Sequence, residues 1–352
     1  MISNPKCAAT LVEVWRGPIV ESLHRGHVVA VDGEGKTITA LGAPETVIFI
    51  RSSGKPFQAI PLIASGAADR FGLTEKEIAI ACGSHSGEAI HVETVQSILN
   101  KIGLDAGALK CGLHEPFSAE VARELARNQQ PPSVLQNNCS GKHAGMLALA
   151  KHLGAPTENY DRLDNPVQQH ILRTVSEFSG VPTEAIAIGV DGCGVPVFGI
   201  PVRAMALMYA RLVHPPADFD APVKDASRRV VNAMIRFPEM VGGSKDRLDT
   251  ELIRAASGKL ISKIGAEGVY TVGVLPCDEW PAGIGFALKL EDGDDHRARP
   301  PAVIEALRQL RVLHDAEMSS LASYAPTPIT NRRGERVGEA RAVFSLDLNS
   351  RQ

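Results

Sequence analysis

The sequence predicts an α+β fold: a lobe built on an antiparallel sheet, discontinuous along the chain, with a mostly helical lobe inserted between its halves. Three observations carry that expectation. Short β-branched runs joined by tight links fill the first fifty residues. Helical periodicity and capping signals dominate the next third, and strand-like runs return after it. The sheet lobe is expected to comprise residues 1–60 with 180–352, and the helical lobe residues 61–179.

Taken in order, residues 27–32 (HVVAVD), 36–42 (KTITALG) and 46–51 (TVIFIR) read as strands. Asp32-Gly33-Glu34-Gly35 between the first two is a hairpin-type turn, and such short links favour antiparallel pairing. Thr74 and Glu77 form a capping box ahead of an apolar stretch. Residues 91–102, 118–127, 145–153 and 203–212 carry helical periodicity. Asn165 followed by Pro166 offers an N-cap and a proline at the first helical position, and Gly180 stops that helix roughly four turns later. Residues 185–190 (AIAIGV), 268–275 (GVYTVGVL) and 283–290 (GIGFALKL) are strand-like. The charged stretch 291–299 reads as a solvated loop, and residues 302–313 as a late amphipathic helix.

Composition narrows the function classes. Lys+Arg at 37 against Asp+Glu at 40, a net charge of −3, leaves no basic excess to neutralise phosphates, so no nucleic acid is expected as partner. No apolar run is long enough for a membrane span. The N-terminus lacks the basic-then-apolar pattern of a secretory leader. Cys7, Cys82, Cys111, Cys139, Cys193 and Cys277 are too sparse for a disulfide framework, so a cytoplasmic chain with reduced thiols is expected. With 5% aromatics, a stacking platform for bases or sugars is not expected.

Five segments can carry chemistry. Arg51-Ser52-Ser53-Gly54-Lys55-Pro56 follows a strand run and contains S-x-x-K in Ser52 and Lys55. A serine needs a base to become a nucleophile, and a lysine can serve once its pKa falls. The same spacing opens the active-site helix of penicillin-recognising enzymes. Taken alone, these residues read more simply as a capped helix start with an exposed lysine, and Ser3 with Lys6 repeats the spacing. Pro56 restricts Lys55, so a helix holding both must keep Pro56 in its first turn.

Residues 81–88 (ACGSHSGE) form a glycine-flanked turn where backbone can approach a ligand, with Ser84 and His85 as candidates; a plain polar turn is the alternative. Residues 137–145 (NNCSGKHAG) open a helix whose N–H groups can face an anion, but a phosphate loop would need glycine at position 136. Residues 190–196 (VDGCGVP) make a glycine turn where Asp191 and Cys193 can face a site. Cys139 and Cys193 alone are no metal motif and read as buried small hydrophobes, and His85, His91 and His143 fit no zinc spacing. Residues 262–268 (SKIGAEG) can bring Lys263 beside a serine, where two ammonium groups would lower each other's pKa.

RSSGKPFQ, ACGSHSGE, NNCSGKHAGM, DGCGVP and SKIGAEG, in this order, resemble the rhizobial-type L-asparaginases, the thermolabile asparaginase II family, from about residue 10 to near residue 345. That resemblance implies a fold similar to serine β-lactamases and penicillin-binding proteins. It implies two Ser/Lys pairs, Ser52 with Lys55 and Ser84 with Lys263, and a zinc site of Cys139, Lys142 and Cys193 with Asp191 close by. The implied reaction is hydrolysis of the asparagine side-chain amide through a serine acyl-enzyme, Ser52 attacking and Lys55 taking its proton. Arg51, His143 and Asp191 would meet the substrate's charged ends, zinc would tune rather than perform the chemistry, and the chain would be a homodimer. Two rival readings stand beside it: a penicillin-recognising serine hydrolase and a non-catalytic amino-acid sensor.

Overall fold

The computed structural model describes residues 7–348, which leaves Ser3 and Lys6 outside the described residues. In chain order the strands are β1 (Ala9–Arg16), β2 (Ile19–Val31), β3 (Thr37–Leu41), β4 (Val47–Phe49), β5 (Ala187–Val190), β6 (Pro196–Pro201), β7 (Leu260–Gly265), β8 (Val269–Val274), β9 (Ile284–Leu290), β10 (Thr327–Thr330) and β11 (Arg336–Ala342). Two compact units divide the chain. One takes the described residues up to Ile48, Ile200–His214 and those from Leu252 onward; the other takes Phe49–Gly199 and Pro215–Glu251.

The first unit is built on an eight-stranded sheet in the order β10-β11-β1-β2-β9-β8-β7, with β3 also pairing β2. Its described pairings are antiparallel. Asp32 closes the β2–β3 turn by accepting the Glu34 and Lys36 N–H groups on Oδ1 at 3.0 and 2.9 Å. The second half of β2 is buried on both faces, which is why HVVAV reads as an unbroken apolar run. The helix Val202–Val213 packs on β2, β8 and β9. Its backbone comes so near that a Cβ at Gly285 would lie 1.8 Å from the Ala206 carbonyl oxygen. Gly273 pairs with Gly285 across β8 and β9, so this helix crosses the sheet over a glycine pair.

A three-stranded sheet has the order β4-β6-β5, and the second unit holds a cluster of helices. At its centre lies the helix Ser140–Leu153, buried from Ser140 to Ala150 and in contact with Lys55–Ala64, Glu75–Ala81, Ala89–Lys101 and Pro166–Ser179. A helix apolar all round belongs in such a core. The Thr74/Glu77 capping box is formed. Asn165 Oδ1 accepts from the Val167 N–H at 2.9 Å, Pro166 sits in the first turn, and Gly180 ends the helix at φ +71°. The strand expected over residues 46–51 is cut short at Phe49, because Arg51 turns the chain at φ +48°. Among the described residues no helix is long and apolar enough to cross a membrane.

The serine β-lactamase/penicillin-binding-protein fold implied by the resemblance is corrected here. S-x-x-K was the local sign of that fold, where serine and lysine share the start of one helix. In this chain Ser52 lies in a 3₁₀ turn, Arg51–Gly54, and only Lys55 heads the helix that follows. Strand order is set by distant pairings that a four-residue motif does not encode. Here the C-terminal hairpin β10–β11 extends the sheet outside β1.

Candidate active site

The site is assembled in the second unit from the 3₁₀ turn after β4, the loop 82–88, the start of the helix Ser140–Leu153 and the turn between β5 and β6. A positive φ on a non-glycine residue such as Arg51 costs on the order of 1–3 kcal/mol and persists only where its surroundings hold it. Arg51 Nε donates to Asp191 Oδ1 at 2.9 Å, and that oxygen also accepts the Gly192 N–H at 2.9 Å. Burial alone would raise the Asp191 carboxyl, but Lys142, Arg51 and the Gly192 N–H outweigh it and hold it below its ordinary value. The ion pair thus ties the strained turn to the β5–β6 turn.

Lys55 follows with Pro56 in the first helical turn and is 1% exposed. Its ammonium donates to Gly83 O at 2.7 Å, Ser84 Oγ at 2.9 Å and Asn138 O at 3.2 Å, which uses all three N–H donors. Burial is the main cause that lowers its pKa; the charge of Lys142 adds to it, while Cys139 and Cys193 oppose it. A lysine so placed can lose a proton and turn its lone pair to Ser84.

Ser84 is 2% exposed and fixed on both sides. Its N–H donates to Val241 O at 2.8 Å, and its carbonyl accepts from Arg247 Nη2 at 2.8 Å. Arg247 also donates through Nη1 to Ser86 Oγ at 2.8 Å and Gly242 O at 2.9 Å, and lies over the Phe117 ring. Gly83 is required here, since a Cβ would meet Met240 O at 2.2 Å. His85 is a tie rather than a base. Its Nδ1 accepts from the Gly87 N–H at 3.2 Å, so Nε2 carries the proton and donates to Ser140 Oγ at 2.9 Å.

Lys142 Nζ donates to Cys193 Sγ at 3.0 Å. The Cys139 thiol hydrogen-bonds Cys193 and, with Lys142, brings the Cys193 pKa down to about 4 against the effect of burial. Cys139, as the partner that keeps its proton, is pushed up to about 12. For Lys142 burial alone would favour the neutral amine, but Cys193, Cys139 and Asp191 hold it charged. The pair is therefore thiolate and ammonium, with a thiol beside them. Two sulfurs and one amine converge, a donor set that fits zinc once Lys142 and Cys139 lose their protons. Among the described residues no three or more His, Cys, Asp and Glu side chains are grouped to hold a metal, so a metal here needs the Lys142 amine.

The structure brings Lys55 onto Ser84 rather than onto Ser52, which is half-buried. Among the described residues Ser52 Oγ has no hydrogen-bond partner. Lys263 is buried in β7 of the first unit, with Nζ 3.3 Å from Ile264 O. His143 is buried beside Lys142, its Nδ1 2.7 Å from the Tyr160 hydroxyl. Sequence reasoning missed Asn138, Tyr160 and Arg247. Asn138 lies inside a motif already singled out, whereas Tyr160 and Arg247 carry no local signal.

The model of the L-asparaginase II family matches residues 12–342. No curated protein matches. Among solved structures, the probable glutaminase from Bacillus subtilis complexed with 6-diazo-5-oxo-L-norleucine is 14% identical, with 82% of this chain and 84% of that one covered and a TM-score of 0.37. A Bacillus glutaminase in concentrated NaCl is also 14% identical, with 82% and 91% covered and a TM-score of 0.37. A β-lactamase from Burkholderia ambifaria is 14% identical, with 86% and 95% covered and a TM-score of 0.35. Likenesses this distant carry nothing toward function. Glutaminases recur among the matches.

Proposed function

The chain belongs to the L-asparaginase II family, and on that footing we propose that it hydrolyses the side-chain amide of L-asparagine to L-aspartate and ammonia. It is an amidohydrolase of the asparaginase/glutaminase type. The observation that carries the mechanism is the 2.9 Å hydrogen bond between buried Lys55 Nζ and Ser84 Oγ, a base and a hydroxyl in contact.

Ser52 attacks the amide carbon, since of the two serines it is the more exposed to an incoming substrate. Once substrate closes on the site and Ser52 Oγ turns to the Ser84 hydroxyl, its proton passes through that hydroxyl to neutral Lys55, which the Ser84 Oγ already contacts. The C–N bond then breaks, Lys55 returns the proton to the leaving nitrogen, and ammonia departs. Water adds to the aspartyl ester with Lys55 again taking a proton, which releases aspartate and restores Ser52. Arg51 and Asp191 offer opposite charges to the α-carboxylate and α-amino groups. A second reading has Ser84 itself attack, which its direct contact with Lys55 favours.

Cys139, Lys142 and Cys193 would hold zinc, which when bound supplies a fixed positive centre for substrate positioning. Asp191 and the glycine turn would be kept in register beside it. The resemblance supports a homodimer, and the six free cysteines accord with a reducing compartment such as the cytoplasm.

A diazoketone analogue of asparagine alkylates an activated nucleophile, and peptide mapping then locates the adduct. Label on Ser52 supports the reading, label on Ser84 supports the second, and an active enzyme that labels neither serine overturns the acyl-enzyme.

A further inference from the structure

Tyr160 is fully buried and outside the residues assigned to the reaction above. Its hydroxyl oxygen accepts the Lys110 N–H at 2.9 Å. The same hydroxyl is 2.7 Å from His143 Nδ1. A phenol has one proton, and a backbone N–H can only donate, so the phenol proton is free for the histidine. An imidazole whose Nδ1 accepts a hydrogen bond is neutral and holds a single ring proton. With Nδ1 accepting from Tyr160, that proton sits on Nε2. His143 is itself fully buried, and among the described residues Nε2 has no hydrogen-bond partner. A buried N–H left unpaired in a well-satisfied site is a donor awaiting an acceptor.

We propose that Tyr160 is a positioning residue that locks His143 in the Nε2–H tautomer, so that His143 presents a neutral hydrogen-bond donor to an oxygen of the amino-acid substrate. The substrate half of this rests on the amide-hydrolase reading; the tautomer half does not. The donor is ready before binding, so no proton has to be rearranged when the substrate arrives.

The first test reads the tautomer directly. In the full chain labelled with [15N]histidine, ring-nitrogen spectra assigned with a His143→Gln control should show His143 protonated at Nε2 and bare at Nδ1. Tyr160→Phe keeps the ring and deletes only the hydroxyl; it should give a mixture of the two tautomers. Kinetically, Tyr160→Phe should raise KM for asparagine about tenfold, the size expected for one buried hydrogen bond, with kcat little changed. A merely structural tyrosine would move stability and kcat without that split. His143→Gln places an amide N–H near the Nε2 position and should retain much more activity than His143→Asn, which places it near Nδ1.

A wild-type His143 protonated at Nδ1 overturns the proposal, as does a Tyr160→Phe variant with unchanged tautomer and KM, or equal activity in the Gln and Asn variants. If the tautomer is as stated and shifts in Tyr160→Phe while the wild type hydrolyses no amide, the lock stands and the amide-hydrolase reading falls.

Discussion

Ser84→Ala removes a single oxygen, and its consequences divide cleanly between stability and rate. In the folded chain Lys55 keeps two acceptors, Gly83 O at 2.7 Å and Asn138 O at 3.2 Å, and loses the third at 2.9 Å. A hydrogen bond to a charged group is worth about 1.5–3 kcal/mol, but the neutral lysine gives up less, so net destabilisation should be about 1–2 kcal/mol. The backbone ties of Ser84 to Val241 and Arg247 do not involve the hydroxyl and survive. Rate is another matter. With the hydroxyl between substrate and base gone, the proton path from Ser52 to Lys55 is broken. Positioned proton transfer contributes about 10²–10⁴-fold, or roughly 2.7–5.5 kcal/mol of barrier. The assay is steady-state ammonia release from asparagine, with circular dichroism and a thermal melt on the same samples. A kcat within tenfold of wild type, with the fold intact, would refute the role given to Ser84.

Acidity supplies a second prediction. Burial, and then Lys142, lowers the Lys55 pKa, and the reaction needs the neutral amine. The value of kcat/KM should therefore rise tenfold per pH unit on the acid side and level off as pH passes the folded value of Lys55, below the ordinary 10.5. Between that value and 10.5 the unfolded chain binds a proton that the folded chain does not, so this group makes stability rise with pH across that window. A pH-independent rate, with melting temperatures that fall as pH rises there, would contradict both signs. Cys139→Ser and Cys193→Ser should mainly raise KM and reduce bound zinc, read by elemental analysis, while kcat stays measurable; a chelator that abolishes kcat would make zinc part of the chemistry. Asparagine should be preferred to glutamine by about 10–200-fold in kcat/KM, the range that one methylene provides, and parity would remove the specificity claim.

Local order was legible wherever it depends on neighbouring residues. The Asp32 turn, the Thr74/Glu77 box and the stop at Gly180 each follow from residues within a few positions of one another. The order of strands was not, because β10 is only four residues long with a proline among them, and β11 reaches β1 from more than three hundred residues away. The helix Ala221–Arg236 went unread although Asp220 and Pro222 mark its start, its mixed charged face having masked the period.

In the site, S-x-x-K spacing directed attention to Ser52 as the partner of Lys55, because sequence reasoning pairs residues one helical turn apart. The lysine side chain is long enough to bypass that neighbour for the loop 82–88, and Ser84 receives the bond. Arg247 and Tyr160 act at distances of 163 and 17 residues from the groups they hold, separations over which no single-sequence period speaks. The Lys142–Cys193 contact spans 51 residues and was foreseeable only through family resemblance.

The most direct measurement is ammonia release by the purified chain, with L-asparagine and L-glutamine side by side and Ser52→Ala as the control. The account predicts steady turnover of asparagine, much slower turnover of glutamine, and loss of several orders of magnitude in the folded variant. No ammonia from either amide, or an undiminished rate in Ser52→Ala, would contradict it.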